Sequence, residues 1–290
     1  MTTLIGPRTL ERLARLDVAV RRAAGGGRSG ERSAGVAGVG TIFREHRTYS
    51  PGDDLRYVDW NAYGRLRSLH VKVFELEENL DVHLLVDTTA SMGSGSGSKL
   101  EAALRAAAIV GAVALGRGDV VRLGLLPGSS RGAFAGPGAT GELLSVLGGT
   151  TGNARVPLSE AIRAAFPRIR RRGFALLVTD FLDEPAAWRR AVDYLLHMRV
   201  ELACLHVIAP AERSPPATGS LRLTDAETGA EFDLDVDEDL LVRYRQRFEK
   251  RIRDVRAYLR AKQVPHVLLD TAHAGEAELL RQLLRERVLR

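Results

Sequence analysis

Short apolar runs rich in aliphatic and β-branched residues alternate along this chain with longer segments whose apolar positions recur every three or four residues. The runs His83–Val86, Val120–Leu126, Phe174–Val178, Leu202–Ile208 and His266–Leu269 predict strands buried on both faces. Between them, Lys99–Leu115, Pro157–Ala165, Ala186–Met198 and Leu240–Lys262 predict helices, Pro157 standing at a first turn where no backbone donor is needed. The last of these carries Leu241, Tyr244, Phe248, Ile252, Val255 and Leu259 on one stripe, and its Arg, Lys, Asp and Gln face is assigned to solvent. Leu69–Glu77 predicts a further strand, Arg131–Phe134 the return of a hairpin, and Leu221–Val236 a hairpin turning at Glu227-Thr228-Gly229. Helices are also expected over Leu10–Ala24 and Ala274–Arg290.

Strands that alternate with helices can bury both sheet faces only as a mostly parallel, doubly wound α/β sheet covered by helices on each side. The pattern divides the chain into residues 1–40, a helix followed by a flexible Gly/Ser/Arg segment, residues 41–80, and an α/β domain over 81–290. In the middle segment Ser50-Pro51-Gly52-Asp53 is a turn, Pro presetting φ and Gly accepting a positive φ. The surrounding Arg47, Asp53, Asp54, Arg56 and Asp59, interleaved with Tyr49, Tyr57 and Trp60, are expected to form an ion-pair and aromatic layer packed on the core.

Composition narrows the function classes. With 290 residues, 45% of them hydrophobic, the chain can bury a large core. The single cysteine, Cys204, lies in an apolar run and excludes an internal disulfide framework, which fits a reducing compartment. No stretch approaches about 18 consecutive apolar residues, so no membrane span is expected. The N-terminus lacks the apolar core of a signal peptide. A cytoplasmic location is the expectation. The net charge of +6 is dominated by arginine and assigned to solvated helix faces. No nucleic-acid motif accompanies it, so nucleic acid is not an expected partner.

The candidate chemistry lies where the first buried run stops. Asp87-Thr88-Thr89-Ala90-Ser91 places a carboxylate at a strand end, with hydroxyls two and four residues later. Open α/β sheets hold ligands at such ends, and Asp87, Thr89 and Ser91 could direct three oxygens at one hard cation. Asp180 ends another buried run, so a parallel sheet could set it beside Asp87; its alternative role is helix capping. Thr150 or Thr151, in the glycine loop between these strands, could add a hydroxyl. Gly93, Gly95 and Gly97 do not meet the dinucleotide spacing, and Lys99, between Ser98 and Leu100, does not complete a P-loop. Thr89 stands where a phosphoryl-transfer Asp would need its second carboxylate.

The D-x-[ST]-x-S spacing resembles the metal-ion-dependent adhesion site of von Willebrand factor A domains. More specifically, Arg47-Thr48-Tyr49-Ser50-Pro51-Gly52-Asp53-Asp54-Leu55-Arg56-Tyr57-Val58-Asp59-Trp60, then Val71–Glu75, resembles the signature of the bacterial family called domain of unknown function 58. Thr179-Asp180-Phe181 and Asp225–Gly229 are similar to further motifs of that family. The resemblance implies a von Willebrand A-like fold and a non-enzymatic adaptor that partners a MoxR-type AAA+ ATPase in chaperone-like assembly. It implies Asp87, Thr89, Ser91 and Asp180, with Thr150 or Thr151, as ligands of Mg²⁺, or of Mn²⁺ or Ca²⁺. The alternatives are a Mg²⁺- or Mn²⁺-dependent hydrolase using Asp87 and Asp180, and a metal-free scaffold.

Overall fold

The computed structural model describes residues 4–19, 42–75, 79–93, 99–128, 130–152, 156, 158–165, 173–198, 200–215, 218–225 and 229–290. The chain runs α1 (Pro7–Leu13), β1 (Ile42–Thr48), α2 (Trp60–Leu66), β2 (His70–Glu75), β3 (Asp81–Asp87), α3 (Ala90–Gly93) and α4 (Lys99–Gly116). There follow β4 (Val120–Leu126), β5 (Ser130–Ala135), α5 (Thr140–Gly148), α6 (Leu158–Ala165), β6 (Gly173–Thr179), α7 (Pro185–His197) and β7 (Glu201–Ile208). It closes with α8 (Pro210–Arg213), β8 (Gly219–Thr224), β9 (Glu231–Val236), α9 (Glu238–Ala261), β10 (His266–Asp270) and α10 (Glu276–Arg285). Contacts group Arg21–Asn79 into one unit, and Met1–Val20 with Leu80–Arg290 into another.

In the larger unit six strands pair in the order β10-β7-β6-β3-β4-β5, all parallel but for the β4–β5 hairpin. This is the expected doubly wound α/β architecture. Alternate residues of β3 serve the two faces: Leu84 and Val86 join the core under α4, α5 and α10, while Leu85 joins that under α6, α7 and α9. Each such side chain contributes about 1.5–3 kcal/mol by leaving water. Two glycines permit close approach. A Cβ at Gly111 of α4 would stand 2.5 Å from Leu143 Cδ2, and one at Gly173 only 2.1 Å from the Asp81 carbonyl oxygen. The second lets β6 start flush against β3. From there the register runs Asp81–Gly173 to Val86–Val178, so Asp87 and Asp180 end neighbouring strands. The strand order reverses at β3, with β4 on one side of it and β6 on the other, and such a switch point opens a crevice at the carboxyl ends of the strands.

Several boundaries differ from the sequence expectation. The first helix ends at Leu13 and not at Ala24, because Asp17 and Ala19 take backbone hydrogen bonds from and to Arg290 and Val288. The same pairing ends α10 at Arg285, where Arg287 turns left-handed (φ 57°) and Val288 and Leu289 are buried. Helices α2 and α5 were not anticipated by periodicity. The hairpin strands β8 and β9 stand where expected, pairing Leu221 with Leu234. The glycine-rich stretch before Thr41, the Gly95–Gly97 loop, Pro157 and the hairpin tip at Glu227-Thr228 lie outside the described residues. Among the described residues no helix is long and apolar enough to cross a membrane.

The smaller unit gives the Arg47–Trp60 motif a local structural role. Gly52 takes φ 105° in the turn, and Asp53 accepts from Ser50 N (2.8 Å) and Arg47 Nη2 (2.7 Å). Asp54 caps the following 3-10 turn through Arg56 N (3.0 Å), and Asp59 caps α2 through Asn61 N and Ala62 N. Asp59 also accepts from His46 Nε2 (2.9 Å). The Ala62 N–H, then His46, hold its carboxyl down at about 2. Trp60 remains 61% exposed, so this part of the motif is not consumed within the unit.

Candidate functional site

Strand β3 delivers Asp87 to the crevice at 4% exposure, and the following loop wraps back over it. Thr88 fastens that loop to β4, its N–H and hydroxyl both donating to the Leu126 carbonyl at 2.7 Å. Asp87 Oδ1 accepts from Thr89 N (2.9 Å) and Thr89 Oγ1 (2.7 Å), and Oδ2 accepts from Thr179 Oγ1 (2.6 Å). Ser91 Oγ lies 3.1 Å from Thr89 Oγ1. Burial first, and then the charge of Asp180, push the Asp87 carboxyl upward; the Thr179 and Thr89 hydrogen bonds pull the other way.

Asp180, also 4% exposed, is held differently. Its Oδ1 accepts from Leu182 N (3.0 Å), an Asx turn and not a cap on α7, while Oδ2 accepts from Lys99 Nζ at 2.7 Å. Lys99 opens α4 at only 1% exposure, and its ammonium also donates to Glu212 Oε1. Glu212 reaches back to Ala209 N (2.9 Å), the acceptor half of a capping box that fixes its carboxylate after β7. Burial alone would lower the Lys99 ammonium, but Asp180 and Glu212 outweigh it, and the net direction is upward. Two acids, Asp180 and Glu212, thus share one ammonium at this edge. Sequence reasoning missed Lys99 and Glu212; the available signals were a lysine opening an apolar helix and a Glu three residues after Ala209.

Among the described residues no group of three or more His, Cys, Asp or Glu is arranged to hold a metal ion. Hydroxyl oxygens are what distinguish this edge. An octahedral Mg²⁺ with ligands at about 2.1 Å sets neighbouring oxygens about 3 Å apart. The Asp87–Thr89 and Thr89–Ser91 oxygen spacings of 2.7 and 3.1 Å suit that requirement. The other expected donors are arranged otherwise. Asp180 is engaged by Lys99, and the Thr150 hydroxyl donates to Val146 O at 2.9 Å, closing the end of α5. Thr151 is exposed beside Gly152, where a Cβ would meet the Thr88 carbonyl at 3.2 Å, so this loop does lie against the Asp87 loop. Asp183 caps α6 at Leu158 N (2.8 Å) and is no ligand candidate.

The interior of β3 makes the fold sensitive to acid. Burial, ahead of nearby charges, lowers the His83 imidazole to about 4. Its ordinary value is about 6.5, so below that pH the unfolded chain binds the proton and the folded chain does not. The stability is complete above pH 6.5 and is lost as pH falls toward 4. Between pH 7 and 5 this histidine contributes a loss of about 2 kcal/mol. The corresponding loss in His83→Gln should be smaller by about that amount, measured by urea unfolding at both values. Equal losses would show that His83 is not the titrating group. Burial similarly lowers His206 to about 3 and raises the Cys204 thiol, leaving the latter a small hydrophobe.

The family model described as "Protein of unknown function DUF58" matches residues 45–258. The uncharacterized protein Rv1480 of Mycobacterium tuberculosis is 28% identical over 285 residues, covering 95% of this chain and 89% of that protein. The uncharacterized protein MAV169 of Mycobacterium avium is 30% identical over 127 residues, 44% of this chain and 74% of that protein. Among solved structures, the chain is similar to the conserved hypothetical protein BatB from Bacteroides thetaiotaomicron, at TM-score 0.39 and 13% identity, covering 72% of this chain and 98% of that one. It is also similar to a von Willebrand factor type A structure from Catenulispora acidiphila, at TM-score 0.39 and 14% identity, covering 73% of this chain and 43% of that one. Since one family model spans both the Pro51-Gly52 turn motif and the strands that carry Asp87 and Asp180, the chain belongs to the DUF58 family of proteins of unknown function.

Proposed function

We propose that the protein is a non-enzymatic interaction module whose sheet edge takes an acidic side chain from a partner through a divalent cation. The convergence of the Asp87, Thr89 and Ser91 oxygens at the switch point of the sheet is the observation that supports this reading. Those three residues would hold Mg²⁺, with Mn²⁺ or Ca²⁺ as substitutes, and Thr151 stands on the neighbouring loop. A cation held by one carboxylate and two neutral hydroxyls keeps unneutralised positive charge, which an Asp or Glu of a partner complements. Lys99 is central to that balance. Its ammonium is shared by Asp180 and Glu212, so it offsets part of the negative charge that would otherwise compete with the partner's acid.

From the family resemblance, the partner we propose is a MoxR-type AAA+ ATPase, with the protein acting as an adaptor in chaperone-like assembly. The test is capture of that ATPase by the immobilised full chain. Capture is expected in Mg²⁺, and to fall at least about tenfold in EDTA and with Asp87→Ala, as for loss of a charged anchor. Capture that is equal in all three conditions would overturn the cation-bridged reading. It would favour instead a metal-free scaffold, for which Lys99 itself is the internal cation between Asp180 and Glu212.

A further inference from the structure

The polar face of α9 is not simply solvated. With the start of α7 and the loop after β6 it walls a groove of about 440 Å³. The floor is apolar: Trp188 and Phe248 are buried there, at 1% and 8% exposure, while Leu182 and Tyr244 are left 37% and 39% exposed. The rim is cationic. Arg247, Lys250 and Arg251 line it from α9 and Arg189 from α7, against the single acid Asp254.

Elsewhere on α9 and its neighbours, charges are paired: Glu249 with Arg213 at 3.1 Å, and Lys262 with Asp193 at 3.0 Å. Among the described residues, none of the four groove cations has a carboxylate within ion-pairing distance. Arg189 lies over the Trp188 and Tyr258 rings, and Arg251 donates to backbone carbonyls of residues 181–183. A low-dielectric cleft lined by one sign of charge concentrates the opposite charge. The cations supply that attraction, and the exposed Leu182 and Tyr244 supply apolar contact that a bare polyanion would not use. Trp188 is too deeply buried to offer a face for base stacking, which disfavours nucleic acid as the occupant.

We propose that this groove docks an acidic segment of a partner protein, one that carries one or two large apolar side chains among its carboxylates. The inference deepens the interaction reading above, because the groove adjoins the loops that carry Asp180 and Glu212. Leu182 is two residues past Asp180, and Tyr244 Oη donates to the Glu212 carbonyl at 2.6 Å. A partner in the groove would lie beside these loops.

The probe is a short labelled peptide in which Glu and Asp alternate with Leu and Phe, followed by fluorescence anisotropy with the full chain in EDTA. Binding is expected, weakening steeply as salt rises. Arg247→Glu with Lys250→Glu should weaken it by at least about tenfold, as for reversed rim charges. Both positions are exposed, so an unchanged melting temperature confirms that the variant is folded. No binding, equal binding of a charge-inverted Lys/Arg peptide, or insensitivity to the double substitution would overturn the proposal. Tighter binding of a single-stranded oligothymidine would overturn it in favour of a polyanion site. The two readings fail separately: peptide bound in EDTA with no cation-dependent ATPase capture removes only the sheet-edge reading, and the converse removes only the groove.

Discussion

Replacing Lys99 with methionine should destabilise the protein by about 3–5 kcal/mol, the cost of removing one partner from a buried ion pair. The lysine is 1% exposed and its Nζ lies 2.7 Å from Asp180, itself 4% exposed. Methionine fills much the same length, so the loss is electrostatic more than a cavity. Asp180 would keep only the Leu182 N–H, and would face Asp87 across neighbouring strands with no cation between them. The Glu212 contribution is discounted, since its side chain is 23% exposed and water screens it. Thermal melting should show a fall of about 10 °C for a chain of this size.

Two further variants isolate the cause. Adding Asp180→Asn and Glu212→Gln to Lys99→Met removes the unpaired charges and should recover most of the loss. Millimolar Mg²⁺ or Ca²⁺ should raise the melting temperature of Lys99→Met by more than that of the wild type, because a dication can replace the missing ammonium. A melting temperature that is unchanged in Lys99→Met, or one that the triple variant leaves equally low, would show that the lysine packs there without carrying the charge balance.

The contrast between what was readable and what was hidden follows from the range of each interaction. Asp87 and Asp180 were legible because a buried parallel strand is a continuous apolar run, and its last carboxylate is conspicuous. Parallel register then brings two such ends together with no further information. Lys99 meets Asp180 across 81 residues and Glu212 across 113, so neither periodicity nor spacing links them. Thr150 was a ligand candidate because a hydroxyl in a glycine loop is ambiguous; in the fold its hydroxyl donates to Val146 O at the end of α5, which spacing alone does not reveal. The expected helix from Leu10 onward failed for another reason. Val18 matches a helical stripe as well as it matches a bridge to Leu289, and only the position of the distant C-terminus decides. The acids of the Arg47–Trp60 motif were expected to form ion pairs, and they do, but Asp53, Asp54 and Asp59 serve equally as caps for local backbone N–H groups.

Substituting Arg251 by methionine should cost about 2–3 kcal/mol and loosen the loop that positions Asp180. Arg251 rises from the supposedly solvated face of α9, and its Nε donates to Phe181 O at 3.1 Å, while Nη2 donates to the carbonyls of Leu182 and Asp183. A planar guanidinium can address successive carbonyls in this way; an ammonium cannot, so Arg251→Lys should restore less than half of the loss. The loop needs this restraint because Phe181 adopts φ 51°, a left-handed conformation that costs a bulky residue about 1–2 kcal/mol. Its ring compensates by burying fully against Trp188 and His206, with centroids 5.7 and 5.1 Å away. Without Arg251, the backbone strain is opposed by ring packing alone. The Leu182 amide, which donates to Asp180 Oδ1, should then exchange its hydrogen faster, and the Asp183 cap on Leu158 N should fray with it. Native-state hydrogen exchange of Arg251→Met and Arg251→Lys reads both effects. Protection of Leu182 equal to that of the wild type in both variants would mean that Phe181 packing alone sets the loop, and that the groove and the Asp180 edge are mechanically independent.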